Sequence, residues 1–367
     1  MSTVRSDLSR RSFLGCSAGA LLASSFAPFA PPLAASSSPR RIILDCDTGV
    51  DDAIAILLAL RSPELKIEAI TAVSGNVPLA LTLPNTLRMV EIAGRGDVPV
   101  AGGAAIPLVR QLVTASYVHG ENGLGGAEFP EPKLKPVDEP AAQLIRRIVH
   151  SRPGEVTIVG VGPLTNVALA LKSDPELGSQ IQEIVVMGGS LTGGNITPSA
   201  EFNFYVDPEA ARVMFDSGVP LTMVGLNVTQ KVLLGEQQLG VLEAAQNPVS
   251  QAAGKILRST IEHIREGRGI TAKTMAMHDP LTVAHLIDPS ILTLKDYYVQ
   301  IETSGEFSAG ESVAYEHPPA RESAPMNLGP AARETRAQEF KANAKVAVGV
   351  DPDKFFQLLL QRITRES

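Results

Sequence analysis

The chain predicts an α/β fold: a mostly parallel, doubly wound, Rossmann-like sheet with helices on both faces and a small β-hairpin appended near the C-terminus. Three observations carry that expectation. Short β-branched apolar runs alternate with helix-spaced segments along most of the length, the pattern of strands buried on both faces. Each run ends in a glycine-rich or acidic turn. The 367 residues, 44 % hydrophobic and 19 % charged, suffice for one large core, and no break in composition or internal repeat divides residues 41–367.

Taken in order, "RIILDC" (41–46) reads as the first strand, Thr48 and Gly49 as a turn, and "DDAIAILLALR" (51–61) as a helix. "KIEAITAVSGN" (66–76) is a second strand running into a polar loop, and "NTLRMVEIAGR" (85–95) a second helix. The strand–glycine–helix order returns in "EVTIVGVG" (155–162) with "LTNVALALK" (164–172). "IQEIVVMGGS" (181–190) and "PLTMVGLN" (220–227) are further strands, the latter preceded by the helix "PEAARVMFDSG" (208–218). Beyond residue 290, "YYVQIETSG" (297–305) and "ESVAYEH" (311–317) predict the hairpin; "AKVAVGV" (344–350) and the helix "PDKFFQLLLQRI" (352–363) close the chain. In a parallel sheet the carboxyl ends of the strands share one edge, where ligands bind. The candidate site therefore draws on residues 45–52, 74–76, 160–162, 187–203 and 278–279.

Residues 1–35 are a separate object. Arg10 and Arg11, followed by Ser12, Phe13 and Leu14, precede a mild apolar stretch that resembles a twin-arginine export signal, with small residues for cleavage near Ala34 to Ser36. Ser and Pro break the apolar run before the ~20 residues of a membrane anchor. Residues 36–40 then form a linker to one domain at 41–367, and the product is expected to be periplasmic or secreted. Loss of the signal removes Cys16 and leaves Cys46 alone, so no internal disulfide is expected. A formal net charge of −7, with no Lys/Arg run after residue 41, argues against nucleic acid as a partner.

"DCDTGVDD" (45–52) packs four aspartates against the start of an apolar helix, and such crowding is tolerated only where something offsets the repulsion. Asp45 and Asp47 share one face of a strand. Asp51 and Asp52 fall at a helix N-terminus, where the dipole favours carboxylates. Capping and a local turn account for part of the cluster and leave Asp47 unexplained. A hard cation accounts for all of it: Ca²⁺ takes ~6–8 oxygens, of which Asp47 and Asp52 supply some and Asp279 of "MHDP" (277–280) another. No Cys/His cluster suits zinc. A haloacid-dehalogenase-like phosphatase also begins with a hydrophobic strand ending D-x-D, but here Gly49 stands where such enzymes carry Thr or Val.

With "AVSGN" (72–76), "HGENGLGG" (119–126), "VGPLTNVALAL" (161–171), "VVMGGSLTGGNITPSAEFNFYVDPEAA" (185–211), "LTMVGLNVT" (221–229) and "HDPLTVAHLIDP" (278–289), the acidic segment resembles the inosine–uridine-type nucleoside hydrolases in order and approximate spacing, over residues 41–363. The resemblance implies calcium-dependent hydrolysis of the N-glycosidic bond of ribonucleosides to free base and ribose. It implies Asp47 as general base on a calcium-bound water, and Asp47, Asp52, Asp279 and the Val161 carbonyl as calcium ligands. Asp51, Asn76, Asn203 and Asp279 would hold the ribose 2′ and 3′ hydroxyls, Asn195 and Glu201 the 5′ end, and Met187 would lie beneath the sugar. His119 and His278 would flank the base, His278 as proton donor. A homodimer or homotetramer without a stable membrane anchor is also implied. The chemistry suits these residue types: cleavage builds positive charge on the ribosyl ring, which carboxylates favour, while the departing base needs a donor that histidine supplies near neutrality.

Some readings stay open. Asn195 could be a turn residue, Met187 ordinary core, and the glycine-rich stretch around His119 reads as a mobile loop. Residues 263–277 hold no Phe, Tyr or Trp, and the chain has no Trp at all, so a base sandwiched between tryptophans is disfavoured and base preference is not set. A second class, an exported calcium-stabilised nucleoside- or ribose-binding protein without catalysis, would keep the ribose residues and dispense with Asp47.

Overall fold

The computed structural model describes residues 38–268, 274–316 and 341–366; the export segment and the start of the linker lie outside them. Strands β1 (Arg40–Cys46), β2 (Leu65–Ala72), β3 (Val100–Gly102), β4 (Val156–Gly160), β5 (Ile181–Met187) and β6 (Leu221–Val224) are joined in parallel in the spatial order 3-2-1-4-5-6. β7 (Leu233–Leu234) and β8 (Met275–Ala276) form a separate antiparallel ribbon. β9 (Leu292–Ile301), β10 (Ser312–Tyr315) and β11 (Ala344–Val350) complete a nine-stranded sheet.

The fold is the mostly parallel, two-faced α/β sheet expected. Along β1, Ile42, Leu44 and Cys46 join the core on one face and Ile43 the core on the other, as period-two side chains must. The helix Val50–Leu60 is buried along its whole length, which is why its sequence carries no polar stripe. It packs with Pro248–Arg268, His278–Ile287 and Pro352–Thr364 on one face; Ala141–Ser151, Thr165–Ser173 and Pro208–Asp216 cover the other.

The expected hairpin is present as β9 and β10, added at the outer edge of the main sheet: β9 pairs antiparallel with β11, which is itself parallel to β6. They cover the edge that β11 would otherwise leave open for unwanted pairing. The second helix begins at Leu79 and runs to Ile92 with Pro84 inside it, instead of starting after the proline. It is anchored early, with Leu79 N–H donating to Ser74 Oγ (3.0 Å) and Thr82 Oγ1 to the Val73 carbonyl (2.9 Å), so one lost ladder bond at Pro84 is tolerated.

The strand order reverses between β1 and β4, and there the chain needs a clamp. Asn166 provides it from the helix after β4: its Nδ2 donates to Asp45 Oδ1 (2.8 Å) and the Ala72 carbonyl (3.1 Å), and its Oδ1 accepts from Ala104 N–H (2.8 Å). Thr71 Oγ1 also donates to Asp45. Burial pushes the Asp45 carboxyl up to about 7, against the pull of these two donors. Asn166→Ala should strand buried partners and cost about 1–3 kcal/mol. Urea unfolding monitored by circular dichroism checks this, and an unchanged midpoint would remove Asn166 from that role.

Candidate active site

The switch point between β1 and β4 opens onto a cavity of about 340 Å³, and the residues that the sequence singled out converge there. Asp51, Asn76, His119, Val161, Met187, Asn195, Glu201, Asn203, His278 and Asp279 all line it. Asp47 and Asp52 are fully buried and do not line it themselves; they lie behind the lining residue Asn76, which bonds to both and makes them the floor of the site.

The floor is built by the turn after β1. Asp52 reaches back so that Oδ2 accepts from Gly49 N–H (3.0 Å) and Oδ1 from Asp47 N–H (3.1 Å), which caps the helix Val50–Leu60. Asn76 donates its backbone N–H to Asp47 Oδ2 (2.6 Å) and its Nδ2 to Asp52 Oδ2 (2.9 Å), locking β2's loop onto the acids. Gly75 and Gly162 hug Asp47: a Cβ at Gly75 would collide with Oδ2, and one at Gly162 would stand 2.7 Å from Oδ1. Asp47 Oδ1 itself is buried with no hydrogen-bond partner among the described residues.

Carboxylate oxygens of Asp51, Asp52 and Asp279 lie within 4.8 Å of one another, and all three residues are buried. Asp279 enters from the first turn of the helix His278–Ile287, far along the chain. The trio thus includes Asp51, which the sequence reading placed on the sugar side. Burial, then the charge of Asp52, drives the Asp47 carboxyl well above the usual carboxylate range. Burial and then Asp51 raise Asp52 to about 6, and burial followed by Asp51 drives Asp279 up strongly. No Lys or Arg among the described residues lines the cavity. The protein therefore gathers acids and leaves their charge unmatched, which fits a hard divalent cation.

The residues expected on the sugar side are held largely by the loop after β5. Val161 N–H donates to the Asp45 carbonyl (2.8 Å), which fixes the end of β4, and the Val161 carbonyl accepts from Asn203 Nδ2 (2.9 Å). Asn203 Nδ2 also reaches the Met187 carbonyl (3.2 Å) and sulfur (3.4 Å), so Met187 is part of the cavity wall. Glu201 caps the short helix Phe202–Val206: Oε1 accepts from Asn203 N–H (2.9 Å), and Oε2 from Phe204 and Gly189 N–H (both 3.1 Å). Burial lifts its carboxyl to about 7 against those three donors. Asn195 is exposed and its Oδ1 accepts from Phe202 N–H (2.9 Å), so it serves the turn as well as facing the cavity.

On the opposite wall stand the two histidines. His119 Nδ1 accepts from Val50 N–H (3.0 Å), one of the orphan donors at the start of the helix, so the ring's proton sits on Nε2. The glycine-rich stretch after it is a hydrogen-bonded turn, not the loose loop its composition suggests. Asn122 Oδ1 accepts from Leu124 and Gly126 N–H (both 3.0 Å), Gly125 N–H donates to the His119 carbonyl (2.7 Å), and Ser259 Oγ donates to the Gly125 carbonyl (2.6 Å). His278 Nδ1 lies 2.7 Å from Thr229 Oγ1. Burial lowers both imidazoles below their ordinary value, partly offset by the charge of Asp51.

The sequence reading missed the apolar part of this wall. Tyr117, Val118, Ile264 and Met275 line it beside the histidines, and Tyr117 brings an aromatic ring from a segment other than 263–277. No spacing signal links Tyr117 to the "HDP" motif; tertiary structure alone brings them together.

Comparison with known proteins places the chain in a family. The chain matches the family described as inosine–uridine preferring nucleoside hydrolase over residues 42–357. It is 42 % identical over 323 residues to the pyrimidine-specific ribonucleoside hydrolase RihA of Citrobacter koseri, covering 88 % of this chain and 97 % of that one. The Escherichia coli O8 protein of the same name is 43 % identical over 324 residues, with the same coverage. Among solved structures, a plant nucleoside hydrolase superposes with TM-score 0.80 at 33 % identity, over 89 % of this chain and 100 % of that one. A purine-preferring ribonucleoside hydrolase from Gardnerella vaginalis gives 0.78 at 30 %, over 89 % and 98 %. The protein is an enzyme that hydrolyses ribonucleosides, and it belongs to the inosine–uridine preferring nucleoside hydrolase family.

Proposed function

We propose that the enzyme is a calcium-dependent ribonucleoside N-ribohydrolase in which Asp47 is the general base and His278 the donor to the departing base. One observation carries this reading: the partnerless Asp47 Oδ1 lies buried beside a trio of acids with no cationic side chain among the described lining residues. Asp47, Asp52, Asp279 and the Val161 carbonyl would hold the ion, with Asp51 close enough to share it. Calcium held there would supply a Lewis acid that makes a neighbouring water more acidic.

The chain's own residues do the rest. Asp47 takes a proton from the attacking water through Oδ1, the oxygen that no other group occupies. Asp51, Asn76, Asn203 and Asp279 set the 2′ and 3′ hydroxyls, Asn195 and Glu201 face the 5′ end, and Met187 supports the ring. As the C1′–N bond breaks, positive charge grows on the ribosyl ring between these acids, whose field favours it. His119 and His278 face the base, where His278 donates to the leaving nitrogen or oxygen. The apolar wall with Tyr117 receives the flat heterocycle. The pyrimidine specificity named for relatives 42 % and 43 % identical supports pyrimidine ribonucleosides as the better substrates. Export through Arg10 and Arg11 to the periplasm or exterior, and a homodimeric or homotetrameric state, belong to the same proposal.

Reducing-sugar release from uridine, cytidine, inosine and adenosine tests the activity and the preference; release from none of them would favour the binding-protein reading. Asp47→Ala should lower kcat by ~10²–10⁴-fold while the circular dichroism spectrum is unchanged. Near-normal turnover would strip Asp47 of its role.

The acids also set a pH signature. Their folded values lie above the ordinary carboxylate range, so in metal-free protein ionising them costs stability, and that cost grows as pH rises past 4 toward about 6 for Asp52 and higher for Asp47 and Asp279. A bound cation reverses the sign by favouring the ionised forms. Calorimetry with chelator or excess calcium should therefore give a Tm difference that widens from about pH 5 to about pH 7. A constant difference, or chelator-resistant activity, would count against the ion.

For export, Arg10→Lys with Arg11→Lys should retain the protein in the cytoplasm. Fractionation showing undiminished export would refute the signal.

A further inference from the structure

We propose that Thr229 is a positioning residue for this reaction: its buried hydroxyl sets the orientation of the His278 ring and places the ring's proton on Nε2, the nitrogen left to face the base. The inference rests on the reading of His278 as donor to the leaving group.

The geometry is specific. Thr229 is fully buried, and its Oγ1 lies 2.7 Å from His278 Nδ1. Among the described residues the hydroxyl has no other hydrogen-bond acceptor, whereas the buried helical hydroxyls of Thr86 and Thr260 donate to a carbonyl one turn back, at Thr82 and Ile256. A buried O–H without an acceptor is costly. Were Nδ1 to carry the proton and donate to Oγ1, the threonine hydrogen would be stranded. With the hydroxyl donating to Nδ1 instead, both groups are satisfied, and the neutral imidazole carries its N–H at Nε2.

The backbone fixes the pair on both sides. Thr229 ends the short helix Leu226–Thr229 that follows β6. Asn227 in that helix donates Nδ2 to the Ala347 carbonyl of β11 (2.8 Å) and accepts from Leu191 N–H (3.3 Å). The chain then meets the His278 segment directly: Met277 N–H donates to the Val232 carbonyl (3.0 Å), and β7 pairs with β8. The motif "LTMVGLNVT" thus acquires a task, to present one hydroxyl to one imidazole.

The test is a double-mutant cycle with two classes of substrate. On uridine, Thr229→Val should lower kcat/KM by about 10–100-fold, and on a nitrophenyl riboside, whose leaving group needs no proton, by less than about threefold. Thr229→Ser should restore uridine hydrolysis, and Thr229→Val should cost less than about twofold in a His278→Ala background. Equal losses on both substrates, or losses that multiply with those of His278→Ala, overturn the inference. A leaving-group-dependent His278→Ala beside a harmless Thr229→Val sinks Thr229 alone; equal losses on both substrates for His278→Ala sink the His278 reading and this one together. A readout independent of variants is the imidazole ¹⁵N spectrum of the calcium-loaded wild type at a pH where His278 is neutral, its signal assigned with His278→Asn. A protonated Nε2 and bare Nδ1 are expected, and the opposite tautomer overturns the proposal.

Discussion

Everything at the carboxyl edge of the sheet answers to one constraint: carboxylates are buried together with no cationic side chain among the described residues that line the cavity. Desolvation and mutual repulsion both oppose ionisation there, and the fold offsets part of the cost with dipoles. Backbone N–H groups of Asp47, Gly49 and Asn76, with the Asn76 amide, are all aimed at Asp47 or Asp52. Helices start at Val50 and His278, bringing their positive ends to the same place. These contacts hold the geometry without neutralising it. The residual negative field suits the site to a hard cation, and on the mechanism proposed above it would also favour a ribosyl group that turns cationic as its base departs.

The two imidazoles of the opposite wall are held alike. Each has Nδ1 engaged inside the protein, His119 by Val50 N–H and His278 by the Thr229 hydroxyl. Neither contact involves Nε2. The anchor of His119 is the N-terminus of the helix that carries Asp51 and Asp52, so the acidic cluster and the histidine wall share one element. Displacement of that helix would disturb both walls of the cavity together.

Much of this was legible in the sequence, for identifiable reasons. Asp45 to Asp52 cluster within one turn, and an aspartate-rich strand end before a helix is a local pattern. Parallel-sheet topology then implies that distant strand ends meet, so Asn76, Val161, Asn203 and Asp279 could be expected on the same edge. What the sequence withheld depends on contacts between segments with no fixed spacing. Thr229 and His278 are 49 residues apart, and Val50 and His119 are 69 apart; nothing in either neighbourhood advertises the pairing. Tyr117 escaped notice because the search for an aromatic followed chain proximity to His278. The hairpin was recognised as strands, but β11, which joins it to β6, comes later in the chain, and its pairing partner cannot be inferred from alternation alone. Composition misled at "HGENGLGG", where glycines that suggest slackness instead make room for the bonds of Asn122.

Cys46 lies between two of the acids, fully buried, its sulfur against Thr48 Oγ1 (3.4 Å) and the Thr71 carbonyl (3.6 Å). Burial and then the neighbouring Asp52 push its thiol far up, so the thiolate that oxidants and disulfides require does not form. The sulfur is a spectator. The buried sulfur of Cys46 is accordingly closed to the redox poise of the surroundings and keeps one covalent state whether reductants or oxidants bathe the fold.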